Sequence, residues 1–79
     1  MNERIETIIS AKVGSFRGAK GLFAKSIGCD SRMLGQWLKG THEPSEIYIQ
    51  AIVRNHLVDY NWLLSGAGSM DGSDSVQAN

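Results

Sequence analysis

Four polar side chains fall at helical spacing within one short stretch: Ser31, Arg32, Gln36 and Lys39. Arg32 and Gln36 are four residues apart, so on an α-helix they share one face. Both side chains end in planar groups that make paired hydrogen bonds. A guanidinium bonds O6 and N7 of guanine together, and a glutamine amide does the same at N6 and N7 of adenine. Ser31, at the start of such a helix, is placed to meet a phosphate or a base. Lys39 and the earlier Lys20 are point charges suited to phosphate oxygens. Met33 lies near the same face and has two open roles, pressing a thymine methyl or packing partly into a core. Gly35 is unusual inside a helix, where glycine costs about 1 kcal/mol relative to alanine. Close approach to a partner and simple tolerance both remain open for it.

These residues need a rigid mount. The stretch KGLFAKSIGCDSRMLGQWLKG, residues 20–40, reads as two short helices joined by a sharp turn. Gly28 stands where the first helix must stop and where the backbone needs a positive φ. Asp30 is placed to accept the first free N–H groups of the second helix. Ala24 is small where two helices would cross. Phe23, Ile27, Leu34 and Trp37 are apolar where the pair would meet a shared core. A second helix mounted in this way fits the major groove of duplex DNA.

The remaining sequence reads as further helices. The spacing of Ile5, Ile8, Ile9 and Val13 predicts a helix over 3–13, ended by Gly14 and Ser15. Helices are expected over 19–27 and 31–39, and Gly40 ends the latter. The breaker cluster Thr41-His42-Glu43-Pro44 follows. Ser45 is expected to cap a helix over 46–55 that buries Ile47, Tyr48, Ala51, Ile52 and Val53. Asp59 is expected to cap a short helix over 60–65 that carries Trp62, Leu63 and Leu64 into the core. No segment alternates with period two, so the expected fold is all-α with five helices. From Gly66 onward the chain is small and polar. That predicts a folded domain over 1–68 and a flexible tail or linker over 69–79.

Composition narrows the function classes. The 79 residues carry no net charge, but the charge is unevenly spread. Residues 12–39 hold Lys12, Arg17, Lys20, Lys25, Arg32 and Lys39 against Asp30 alone. Residues 40–79 hold Arg54 against Glu43, Glu46, Asp59, Asp71 and Asp74. Such polarity presents a basic face to phosphates within a neutral chain. No apolar run is long enough to span a membrane, and the first residues lack a signal-peptide core. The single Cys29 fits a reducing cytoplasm. The spacings of Cys29, His42 and His56 match no zinc pattern, so neither metal nor cofactor is expected. Gly14, Gly18 and Gly21 follow no strand and do not make a phosphate loop. No nucleophile, base and orienting group come together, which argues against an enzyme.

Laid out in this way, about residues 3–68 resemble the DNA-binding domain of phage CI-type repressors, within the lambda-repressor-like helix-turn-helix family. The resemblance rests on FAKSIGCDSRMLGQWLKG, then the Pro44-Ser45 step into a helix, then NWLLSGAGSM. It implies base or adjacent phosphate contacts by Ser31, Arg32, Gln36 and Lys39. It implies phosphate contacts by Lys20, which stands where the family usually has glutamine, and by the loop residues Thr41 and His42. Arg17 and Lys25 join the phosphate candidates by charge. Two departures stand out: Leu22 where the family usually has a polar residue, and Leu57 where a glycine commonly closes helix 4. The resemblance implies a cytoplasmic, nucleoid-associated regulator of a bacterial host, binding a pseudo-palindromic operator. The expected assembly is a monomer or weak dimer in solution that pairs on DNA. A stand-alone regulator of the same fold, antitoxin-like or controlling excision, is one alternative. A protein-interaction module that has lost DNA binding is another, with its base-face residues turned to a partner, and Leu22 would fit it.

Overall fold

A computed structural model describes residues 1–71. The described residues form five α-helices and no strand: α1 (Asn2–Ile8), α2 (Ala19–Ile27), α3 (Ser31–Lys39), α4 (Glu46–His56) and α5 (Tyr60–Ser65). The expected first helix is present but changes character. Beyond Ile8 it widens into a π-helical segment, Ile9–Val13, closed by Gly14 N–H on the Ile9 carbonyl at 2.8 Å. The chain then turns at Gly14, where the Phe16 ring lies so close that any Cβ would meet it at 2.6 Å.

The core draws on every helix. Ile5 and Ile8 of α1, Phe23 of α2, Leu34 of α3, Ile52 of α4 and Leu63 of α5 are all but fully buried. Trp37 adds its ring from α3, 5.4 Å from that of Tyr48 and tilted by 58°. Phe23 stacks on His56 with centroids 4.9 Å apart. Among the described residues none that is buried in the core is polar or charged.

Two expected core faces differ from the structure. Ile47 is 73% exposed, and α4 buries Ile49 with Ile52 instead. Six apolar residues run almost around this helix, so periodicity alone selects no face. In α5 only Leu63 is fully inside; Trp62 is half-buried and Leu64 lies exposed. A six-residue helix can turn only a narrow side inward, and Leu63 occupies it.

Side chains the periodicity did not single out tie α1 to α3 and to the end of α5. Arg4 donates from Nε to the Leu63 carbonyl at 2.8 Å and from Nη2 to the Leu64 carbonyl at 3.1 Å. A cation is thus fixed on the open carbonyls ending α5, the favourable end for positive charge. Asn2 donates from Nδ2 to the Leu38 carbonyl at 3.2 Å. Within the stretch expected to be tail, Met70 packs against the core, and its carbonyl accepts from Asp59 N–H at 2.6 Å. Residues 72–79 of that expected tail lie outside the described residues.

A third group locks α2 to the end of α4. Ser26 Oγ and His56 Nε2 are 2.8 Å apart, and Asn55 Nδ2 donates to the Ser26 carbonyl at 2.8 Å. Burial, and secondarily the charge of Lys12, hold the His56 pKa below its ordinary value. The unfolded chain therefore takes up the proton first as pH falls. The contribution of neutral His56 to stability is whole above the ordinary histidine range and is lost as pH drops through it.

The end of α4 carries strain. Three helices close on glycines in the left-handed region, at Gly28, Gly40 and Gly66, but α4 closes on Leu57 at φ +56°. A side chain in that region costs about 1–2 kcal/mol, and Leu57 is 76% exposed, so little packing offsets it. Leu57→Gly is expected to stabilise the domain by about 0.5–1 kcal/mol after the entropic cost of glycine. Thermal denaturation would show a midpoint several degrees higher. A lower midpoint would mean that the leucine side chain contributes more than its exposure suggests.

Candidate nucleic-acid interface

The polar face of α3 is set by how the helix begins and by what it buries. Asp30 is extended, and its Oδ1 accepts from Met33 N–H at 2.7 Å, fixing the first turn as its position predicts. Before it, Gly28 takes φ +82°, and Cys29 N–H returns to the Ala24 carbonyl at 3.0 Å. Ala24 is buried at this junction. Leu34 and Trp37 point inward, so the opposite side of the helix must face solvent. Ser31, Arg32 and Lys39 are exposed there and Gln36 is half-exposed. The structure thus gathers all four candidate base readers on one surface. Within the described residues no hydrogen bond engages the side chains of Arg32, Gln36 or Lys39, so their donors remain available to a partner.

The end of α3 is finished by the loop. The Gln36 carbonyl accepts from Thr41 N–H at 3.2 Å and from Thr41 Oγ1 at 3.2 Å. His42 Nδ1 lies 3.3 Å from Thr41 Oγ1. Thr41 and His42 are therefore exposed yet anchored to the same helix. His42 also shares a shallow groove of about 230 Å³ with Met33, Gln36, Trp37 and Tyr48. Met33 is half-buried and packs on the core while lining that groove, so it performs the packing role and keeps an edge toward the polar face.

The phosphate candidates divide into two groups. Arg17 precedes α2 and Lys20 lies in its first turn; both are exposed and line one cavity of about 470 Å³ beside Gly14, Phe16 and Gly18. Lys25 is also exposed, but five residues beyond Lys20 it falls about 140° around the helix axis. The two lysines do not form one stripe.

Leu22 is 54% exposed on α2. Cys29 is half-buried; burial first and Asp30 second push its thiol pKa up, which keeps it protonated and a poor nucleophile. Among the described residues no three His, Cys, Asp or Glu side chains gather as a metal site would require. Among the described residues no helix is long and apolar enough to cross a membrane.

Compared with protein families, curated proteins and solved structures, the chain matches none.

Proposed function

We propose that this domain binds double-stranded DNA site-specifically, with α3 in the major groove, as the operator-binding part of a phage or prophage repressor. The observation that carries the reading is the surface of α3. Arg32, Gln36 and Lys39 are unengaged within the fold, while Leu34, Trp37 and the Asp30 cap hold their helix rigid. Rigid mounting matters because base readout needs paired hydrogen bonds of fixed geometry. Arg32 and Gln36 read base edges, Ser31 meets a base or phosphate at the helix start, and Lys39 serves either. Lys20, Arg17, Thr41 and His42 position the domain on phosphates, and Lys25 adds to the field at longer range.

One helix reads few base pairs, so the domain is expected to pair on a pseudo-palindromic site. With Leu63 buried, α5 leaves Trp62 and Leu64 only partly available for self-contact. That fits a monomer or weak dimer in free solution.

Selection of bound sequences from a pool of random duplex DNA tests the proposal. The expected result is enrichment of a defined half-site. Affinity for the enriched duplex should fall with salt, at a slope of about −3 to −4.5 in log–log form if roughly three to five phosphates are neutralised. A pool that stays random, with no salt-dependent retention of duplex, would sink the reading. It would also favour the protein-interaction alternative, to which the exposed Leu22 belongs.

A further inference from the structure

Gly35 lies mid-helix in α3, where nothing in the fold asks for glycine. Its backbone is helical and is absent from the positive-φ glycines, so conformation does not require it. A Cβ built there would meet nothing within 4 Å beyond its own turn of helix, so no neighbouring helix requires glycine either. Alanine would make the better helix. What distinguishes the position is its place on the surface. Ser31 and Arg32 lie one turn before it and Lys39 one turn after, so Gly35, half-exposed, lies midway along the polar face and among its side chains.

We infer that Gly35 is the point of closest approach between α3 and the duplex, where the missing side chain lets the helix backbone settle into the groove. The inference rests on the reading of α3 as the helix that enters DNA. Ser31, Arg32, Gln36 and Lys39 surround a bare stretch of backbone, and their reach to the bases is set by how deeply that stretch sits. A methyl group at the contact would hold the helix off. A displacement of about 1 Å takes a hydrogen bond of about 2.9 Å to a distance where little of it remains. Gly35 is thus a positioning residue that acts through its neighbours, and the sterically free space above it is the space the partner occupies.

The test uses Gly35→Ala and Gly35→Leu in the full chain, with thermal denaturation beside binding to the duplex that the wild-type protein enriches from a random pool. Both variants are expected to melt at or above the wild-type temperature, because the side chain points into open space and improves the helix. Both are expected to bind more weakly, Gly35→Ala by about tenfold and Gly35→Leu by about a hundredfold. Opposite movement of stability and affinity is a result that a merely structural glycine would not give. Arg32→Ala separates the two layers of the argument. If it weakens binding while Gly35→Ala binds as tightly as wild type, the inference about Gly35 is overturned and the DNA reading stands. If the wild type enriches no duplex at all, both fall together.

Discussion

Trp37→Ala is expected to remove a large share of the domain's stability, enough to unfold it if that stability lies near the lower end for its size. The indole is 3% exposed, lies on the inner side of α3 beside Leu34, and packs its ring against Tyr48. Removing a buried aromatic side chain costs about 3–5 kcal/mol, through lost transfer energy and the cavity left behind. A domain of this size holds only about 4–12 kcal/mol in all. The variant should therefore show a strongly lowered or absent thermal transition by circular dichroism. Trp37→Phe, which keeps most of the apolar volume, should keep a cooperative transition at a lower midpoint. An unchanged midpoint for Trp37→Ala would remove the ring from the core and with it the mount for the polar face.

The second large effect belongs to the opposite side of the same helix. Arg32→Ala should leave the melting temperature nearly unchanged, since Arg32 is exposed and bonds to nothing in the fold. Its loss should weaken binding to the selected duplex by about 1–3 kcal/mol and erase preference at one base pair. Lys20→Ala, at the start of α2, should instead weaken every sequence alike and reduce the salt slope by about one. Fluorescence anisotropy with single-base variants of the duplex distinguishes the two. Equal loss on every variant for Arg32→Ala would make it a backbone contact.

The local stops and starts were legible in the residues themselves. The bounds of α2, α3 and α5 follow from Gly28, Asp30, Gly40, Asp59 and Gly66, because each acts within a few residues of chain. The Asp59 cap is made as its position predicts, Oδ2 accepting from Trp62 N–H at 2.9 Å. Ser45 occupies the cap position of α4, but its side chain makes no capping bond. The first turn of that helix is instead braced from Glu46, which accepts from Gln50 at 2.7 Å and from the Tyr60 hydroxyl at 3.1 Å. What could not be read depended on distant partners. The inward face of α4 is decided by which neighbours reach it, and the π widening at Ile9–Val13 leaves no mark in apolar spacing. The polar face of α3 was legible because Leu34 and Trp37 mark its opposite side unambiguously. The clamp by Arg4 was not, since its partners are backbone carbonyls that carry no sequence signal.

That clamp has a dynamic consequence. Its hydrogen bonds join positions 59 and 60 residues apart, among the widest closures the described chain contains. A six-residue helix such as α5 has no persistence of its own in water. It is held by the burial of Leu63 and by the Arg4 guanidinium on its open carbonyls. The closing entropy of so long a loop is recovered only when both ends arrive. α5 is therefore expected to gain protection from amide hydrogen exchange only together with α1, because each holds the other in place across that long closure.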